Sequence, residues 1–145
     1  MIFRGLRSLA VVAAVLVLFA GVACATEPPF EDEEWVLESY GIQGIPQAVI
    51  TGTNITATFD SSDDTVNGSA GCNSYSANYE AEHDVLVISQ IAMTEMACLE
   101  PEGITEQEQH YVRALGTSGR YDYQDGQLKI FYSPGEVLIF KQATD

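Results

Sequence analysis

The chain has 145 residues, room for one domain with a proper core and not for two ordinary ones. Its 21 acids outnumber six bases, for a formal net charge of −15, and such a field repels nucleic acid and anionic lipid head groups, which argues against nucleic acid as a partner. The charge is also segregated: residues 1–23 hold Arg4 and Arg7 and no acid, so all the acids fall beyond them, against only Arg113, Arg120, Lys129 and Lys141.

Arg4 and Arg7 lead into an unbroken apolar run over residues 9–24, closing on Gly21-Val22-Ala23-Cys24. A basic start, an apolar middle and small residues at the end predict an export signal over residues 1–23. As a helix the run would span about 24 Å, short of the ~30 Å hydrocarbon core, so a retained membrane span is the weaker reading. Its end resembles a bacterial lipobox, in which the cysteine receives a diacylglycerol and becomes the new N-terminus. Val22 and Ala23 suit that pattern; Gly21 departs from it, and ordinary cleavage beside Cys24 is the alternative. A lipid on Cys24 makes the membrane the first expected partner, since acyl chains contribute ~0.8 kcal/mol per buried methylene. The expected address is the cell envelope, facing periplasm or exterior. Residues 24–34 include ATEPPFEDEE, two prolines and five acids, which predicts a solvated tether holding the domain roughly 20 Å from the bilayer.

The folded part is expected over residues 35–142. Trp35, Leu37 and Ser39 alternate with polar residues up to Gly41 and predict a first strand with those three on one face. Ile55, Ala57 and Phe59 predict a second, turned by the Asp60 to Asp64 run. Val66 opens the strand leading to GSAGCNSYSANY, in which Tyr75, Ala77 and Tyr79 share a face; after a hairpin loop at residues 80–84, Leu86 and Ile88 share a face of its partner. Thr105 and Glu108 have capping-box spacing before the apolar stripe Tyr111, Val112 and Leu115, which predicts a helix of about ten residues ending at Gly116. Leu128, Ile130 and Tyr132, then Leu138 and Phe140, predict two closing strands joined by Ser133-Pro134-Gly135. The fold class is α+β: a mostly antiparallel, curled sheet of about seven or eight short strands, a partial barrel, with one helix covering a face or an open end.

Trp35-x-Leu37-x-Ser39-x-x-Gly, Gly71-Cys72-Asn73-x-Tyr75-x-Ala77-x-Tyr79, Thr94-x-Met96-Ala97-Cys98, the helix with Glu108 and Leu115, and Leu138-x-Phe140 are together similar to the META domain family, which includes HslJ-like lipoproteins. The resemblance runs in order over roughly residues 34–141, and its specific part is the GCN and T-x-M-A-C pair. It implies a small α+β domain of envelope lipoproteins in stress, drug-tolerance or virulence settings, without an established enzymatic activity.

The residues themselves bear few chemical groups in a readable pattern. With Cys24 assigned to lipid, Cys72 and Cys98 remain as an even pair in an oxidising compartment; a bridge and two buried reduced thiols are both open, with the bridge favoured. No C-x-x-C spacing or basic neighbour points to redox work. Asn73, Tyr75, Thr94 and Met96 are the candidates for a ligand or interaction surface. Each also has a structural reading: Asn73 bonding local backbone at a corner, Tyr75 and Tyr79 in the core, Met93 and Met96 filling gaps beside Thr94. His83 and His110 lack metal-ligand spacing, the Asp60, Asp63 and Asp64 run fails the order of a calcium loop, and Ser69 lies in no nucleophile elbow. The reading is therefore no enzyme, no cofactor and no metal. It is an exported binding or interaction module for a hydrophobic ligand or an envelope polypeptide. A structural envelope-integrity protein without a specific ligand is the alternative, and an enzyme of unfamiliar type ranks third.

Overall fold

The structure, a computed structural model, describes residues 28–144. The export signal, Cys24 and the first residues of the expected tether lie outside the described residues. Nine strands and one helix follow in the order β1 (Glu34–Ile42), β2 (Gln47–Ala48), β3 (Thr56–Asp60), β4 (Thr65–Ser69), β5 (Ser74–Glu82), β6 (Val85–Met93), α1 (Ile104–Gly116), β7 (Arg120–Gln124), β8 (Gln127–Ser133) and β9 (Glu136–Gln142). One antiparallel sheet joins them in the order β6-β5-β4-β3-β1-β9-β8-β7, with the short β2 on β1. It is α+β, as expected.

The sheet curls until its ends approach. Tyr121 N donates to Asp84 O at 2.8 Å and Ile88 N donates to Ser118 Oγ at 3.2 Å, so β6 and β7 nearly close a barrel. Helix α1 packs against β6 and β8 where the edges part. Its sequence suits that place: Ile104, Gln107, Glu108, Tyr111, Ala114 and Leu115 recur at helical spacing and are the buried positions. The concave interior is filled by Trp35, Phe59, Phe140, Leu86, Leu115, Leu128, Ile130 and their neighbours, each under 2% exposed.

Two bulges set which side chains enter that interior. The β1 register shifts between Leu37 and Ser39, so Tyr40 points inward where simple alternation predicted Ser39, and Tyr40 is buried. The β5–β6 ladder shifts between Ser76 and Asn78, opposite Gln90, whose φ is +54°. The β5–β6 hairpin is also tighter than expected, since β5 runs on to Glu82.

The tether reading fails over residues 28–34. Phe30 is fully buried, 4.7 Å in edge contact from both Phe59 and Tyr121. Its carbonyl accepts from Trp35 Nε1 at 2.8 Å. Asp32 N donates to Phe59 O at 2.7 Å, and the Asp32 carboxylate accepts from Ser61 N and Ser61 Oγ at 3.1 and 2.8 Å. A single aromatic decides the matter: burying it contributes about 3 kcal/mol and requires no burial of the acids around it.

Candidate functional site

The two cysteine-bearing corners meet in space. β5 and β6 pair from Glu82↔Val85 back to Tyr75↔Met93, which brings residues 71–74 beside residues 94–98. Cys72 and Cys98 are joined by a disulfide with Cα atoms 6.0 Å apart, so the reduced-thiol reading is set aside.

Asn73 is the hub of this corner and is 3% exposed. Its Oδ1 accepts from Met96 N at 2.7 Å and from Thr94 Oγ1 at 2.8 Å. Its Nδ2 donates to Met96 O at 3.2 Å and to Glu108 Oε1 at 2.8 Å. The side-chain amide thus extends the β5–β6 ladder past its last backbone pair. Thr94 Oγ1 accepts from Ser74 N at 3.2 Å, and Thr94 N donates to Ser74 O at 3.0 Å.

Helix α1 clamps the corner from inside. Glu108 Oε2 accepts from Asn73 N at 2.6 Å and from Cys72 N at 3.2 Å. The expected capping box is therefore absent: the helix starts at Ile104 after Gly103, without a side-chain cap, and Glu108 is buried against the corner instead. A buried and a part-buried backbone amide, with the buried Asn73 side chain, outbid the helix's own first turn for that carboxylate. The preceding Gln107 does the same for the loop before β3, accepting from Ile50 N at 2.7 Å and donating to Thr53 Oγ1 at 2.9 Å.

Beneath the clamp, Tyr75 Oη donates to Thr56 O at 3.0 Å and lies 2.8 Å from Tyr111 Oη. Burial raises both phenols well above the usual tyrosine range; the hydrogen bond between them raises Tyr111 further and partly offsets the rise at Tyr75. Thr56 Oγ1 accepts from Ser69 N at 3.1 Å. Gly68 sits where β4 crosses Thr56, and a Cβ there would be 2.0 Å from Thr56 O. Among the described residues every buried side-chain nitrogen or oxygen has a partner.

Of the four candidates, Asn73 and Tyr75 are buried and spent on this framework, whereas Thr94 and Met96 are exposed. Met93 and Met96 are 39% and 59% exposed, so gap-filling does not describe them. They share the rim of the corner with Leu99, at 88% the most exposed large apolar side chain among the described residues, whose exposure sequence reasoning missed; its place directly after Cys98 was the available signal. Gln107 and Glu108 were likewise missed as clamps because their spacing reads as an ordinary helix start. The acidic turn is self-contained: Asp60 accepts from Ser62 and Asp63 from Thr65. No group of three or more potential metal ligands occurs among the described residues. The arrangement holds two corners and a helix in one shape, and nothing in it indicates catalysis.

A family model described as META domain matches residues 28–145, a span that begins at the segment anchored by Phe30. No curated protein matches. Among solved structures, the NMR structure of a protein from Burkholderia xenovorans is 26% identical, with a TM-score of 0.65 over 80% of this chain and 85% of that one. A second NMR structure is 24% identical, TM-score 0.58, over 77% and 90%. The crystal structure of a DUF4847 family protein from Bacteroides vulgatus is 12% identical, TM-score 0.61, over 81% and 96%. The last two likenesses bear on the fold alone.

Proposed function

The chain belongs to the META domain family, and on that premise we propose that it is an exported envelope protein, anchored by lipid on Cys24, whose domain works by surface recognition. The observation that carries this reading is how the distinctive residues are used. Asn73, Gln107, Glu108, Tyr75 and Tyr111 bond one another and nearby backbone, and the concave interior is filled with side chains. What the corner leaves for a partner is its rim, Thr94, Met93, Met96 and Leu99, held in place by the disulfide. Methionine and leucine side chains offer a soft, adaptable apolar contact. The bridge supports export, since disulfides persist in oxidising compartments, and a role in envelope stress is consistent with such an address.

Titration of the labelled protein with lipid micelles, hydrophobic drugs and envelope-protein peptides, followed by NMR, tests recognition; shifts are expected at residues 93–99, and silence across the panel sinks it. Palmitate labelling of wild type against Cys24→Ala tests the anchor separately. Label retained in the variant removes Cys24 from the proposal.

A further inference from the structure

A second group of ionisable side chains meets away from the disulfide corner. Between α1 and the β8–β9 turn lies a cavity of about 300 Å³ lined by His110, Arg113, Thr117, Tyr132, Pro134 and Glu136. His110 and Arg113 stand three residues apart on α1, the spacing that puts two side chains on one helix face. The imidazole is held firmly: His110 Nε2 is 2.8 Å from Tyr132 Oη, and the ring lies 4.9 Å from that of Tyr40 and perpendicular to Tyr132. Burial, with the nearby Glu136 charge, pushes the Tyr132 phenol up to about 12, so it stays protonated and able to donate.

Arg113 and Glu136 reach the cavity from different walls, one on the helix and one at the start of β9. Among the described residues neither has an oppositely charged partner within 4.0 Å. Two of the other bases are engaged: Lys141 pairs with Glu38 at 3.6 Å, and the Arg120 guanidinium lies 4.3 Å over the Phe131 ring. In a chain this rich in carboxylates, an arginine and a glutamate sharing a cavity without pairing leave one positive and one negative site open.

We propose that this cavity binds a small zwitterion of the α-amino acid class, its carboxylate on Arg113 and its ammonium on Glu136, with the Tyr132 hydroxyl as a further polar contact. A simple anion would meet Glu136 and the negative field of the whole domain; a simple cation would meet Arg113. A zwitterion satisfies both charges and enters without net charge. The volume, at the lower end of small-molecule sites, suits a ligand of that size. Arginine offers the carboxylate a two-pronged contact that lysine cannot reproduce. This site is independent of the rim at Met96 and does not rest on that reading.

The test is an NMR titration of the labelled protein with each of the proteinogenic α-amino acids up to ~10 mM, a range that captures affinities down to the millimolar. At least one is expected to shift residues 110, 113, 117 and 132–136. Its N-acetyl and its carboxamide derivatives are each expected to bind at least about tenfold more weakly, as are Arg113→Gln and Glu136→Gln proteins titrated with the parent amino acid. Unchanged spectra outside the cavity establish that the variants fold. Silence with every amino acid overturns the proposal, and so does a derivative or a variant that binds as well as its parent.

Discussion

The side chain of Asn73 pairs with the backbone of Met96 as one peptide group pairs with another: Oδ1 accepts from Met96 N at 2.7 Å and Nδ2 donates to Met96 O at 3.2 Å. A side chain here takes the place of a strand residue. It lets a loop that is no longer strand follow β5 to the disulfide, while the same amide reaches Glu108 on the helix. Three separate segments are therefore registered against one residue.

Asn73→Asp is expected to cost about 4 kcal/mol, more than the ~2 kcal/mol expected for Asn73→Ala. Aspartate keeps the acceptor toward Met96 N, but its second oxygen replaces a donor and faces Glu108 Oε1 and Met96 O, both acceptors. Alanine leaves bonds unmade without creating repulsion, and water at the exposed rim replaces some of them. Urea unfolding with unchanged slope measures both; an aspartate variant as stable as the alanine variant would falsify the peptide-like pairing.

A double-mutant cycle of Asn73→Ala with Glu108→Ala is expected to show a coupling of about 1–3 kcal/mol, because the two side chains bond each other and Glu108 also holds Asn73 N. A cycle of Asn73→Ala with Gln107→Ala serves as the comparison. Gln107 adjoins Glu108 in sequence but is spent on Ile50 and Thr53, so its coupling to Asn73 should fall near zero. Equal couplings would mean that the helix merely packs on the corner.

Gly68→Ala is expected to abolish or severely weaken folding, with a loss of at least ~3 kcal/mol, because the new Cβ would lie 2.0 Å from a backbone oxygen, Thr56 O, in a paired strand. Gly119→Ala is the control: nothing lies within 4 Å of a Cβ there, and its effect should be within about 0.5 kcal/mol. Thermal melts of the two proteins decide, and similar midpoints would refute the close crossing of β4 over Thr56.

Much of this fold was legible because alternation and helical spacing are strong where one face is buried. Tyr75, Ala77 and Tyr79, Leu86 and Ile88, Leu128 and Ile130 all point inward as their period says. What the period could not carry was the insertion of single residues. The bulge between Leu37 and Ser39 moves Tyr40 inside, and no local signal marks it. The burial of Phe30 was hidden by its acidic neighbours, since composition averages over a segment and one aromatic needs only its own site. At the corner, the cysteine pair and Asn73 stood out as residue types, but their partner did not. Glu108 lies 35 residues from Asn73, and spacing that predicts a local cap says nothing about a tertiary competitor for the same carboxylate.

The Cys72–Cys98 bridge closes a 26-residue separation, for which chain entropy gives roughly 3.5 kcal/mol of stabilisation. A Cys72→Ala, Cys98→Ala protein is expected to lose about that much while keeping the Asn73 contacts, which are made by other atoms. Intact-mass analysis before and after reduction checks the bridge directly, with a gain of two hydrogens expected. Urea unfolding of the double variant gives the energetic side, and no loss of stability would mean that Asn73 alone secures the corner.

Alkaline pH should unfold the domain through its tyrosines. Tyr79 is buried and its Oη donates to Glu31 Oε1 at 2.6 Å; burial first, then that bond and the Glu31 charge, raise its pKa well above 10. In the unfolded chain the phenol ionises near 10. Between those values the native state holds a proton that the unfolded state has released, so stability falls as pH rises. The contribution is fully present below about pH 10 and is lost progressively above it, with Tyr132 adding the same sign between about 10 and about 12. Tyr79→Phe removes the hydrogen bond to a carboxylate, costing about 2 kcal/mol near neutrality, and should also flatten the alkaline decline because one fewer native proton is at stake. Urea unfolding at a series of pH values from neutral to strongly alkaline, on wild type and variant, measures both effects. A variant whose stability declines with the same alkaline slope as wild type would show that Tyr79 ionises in the folded protein as it does in the unfolded chain.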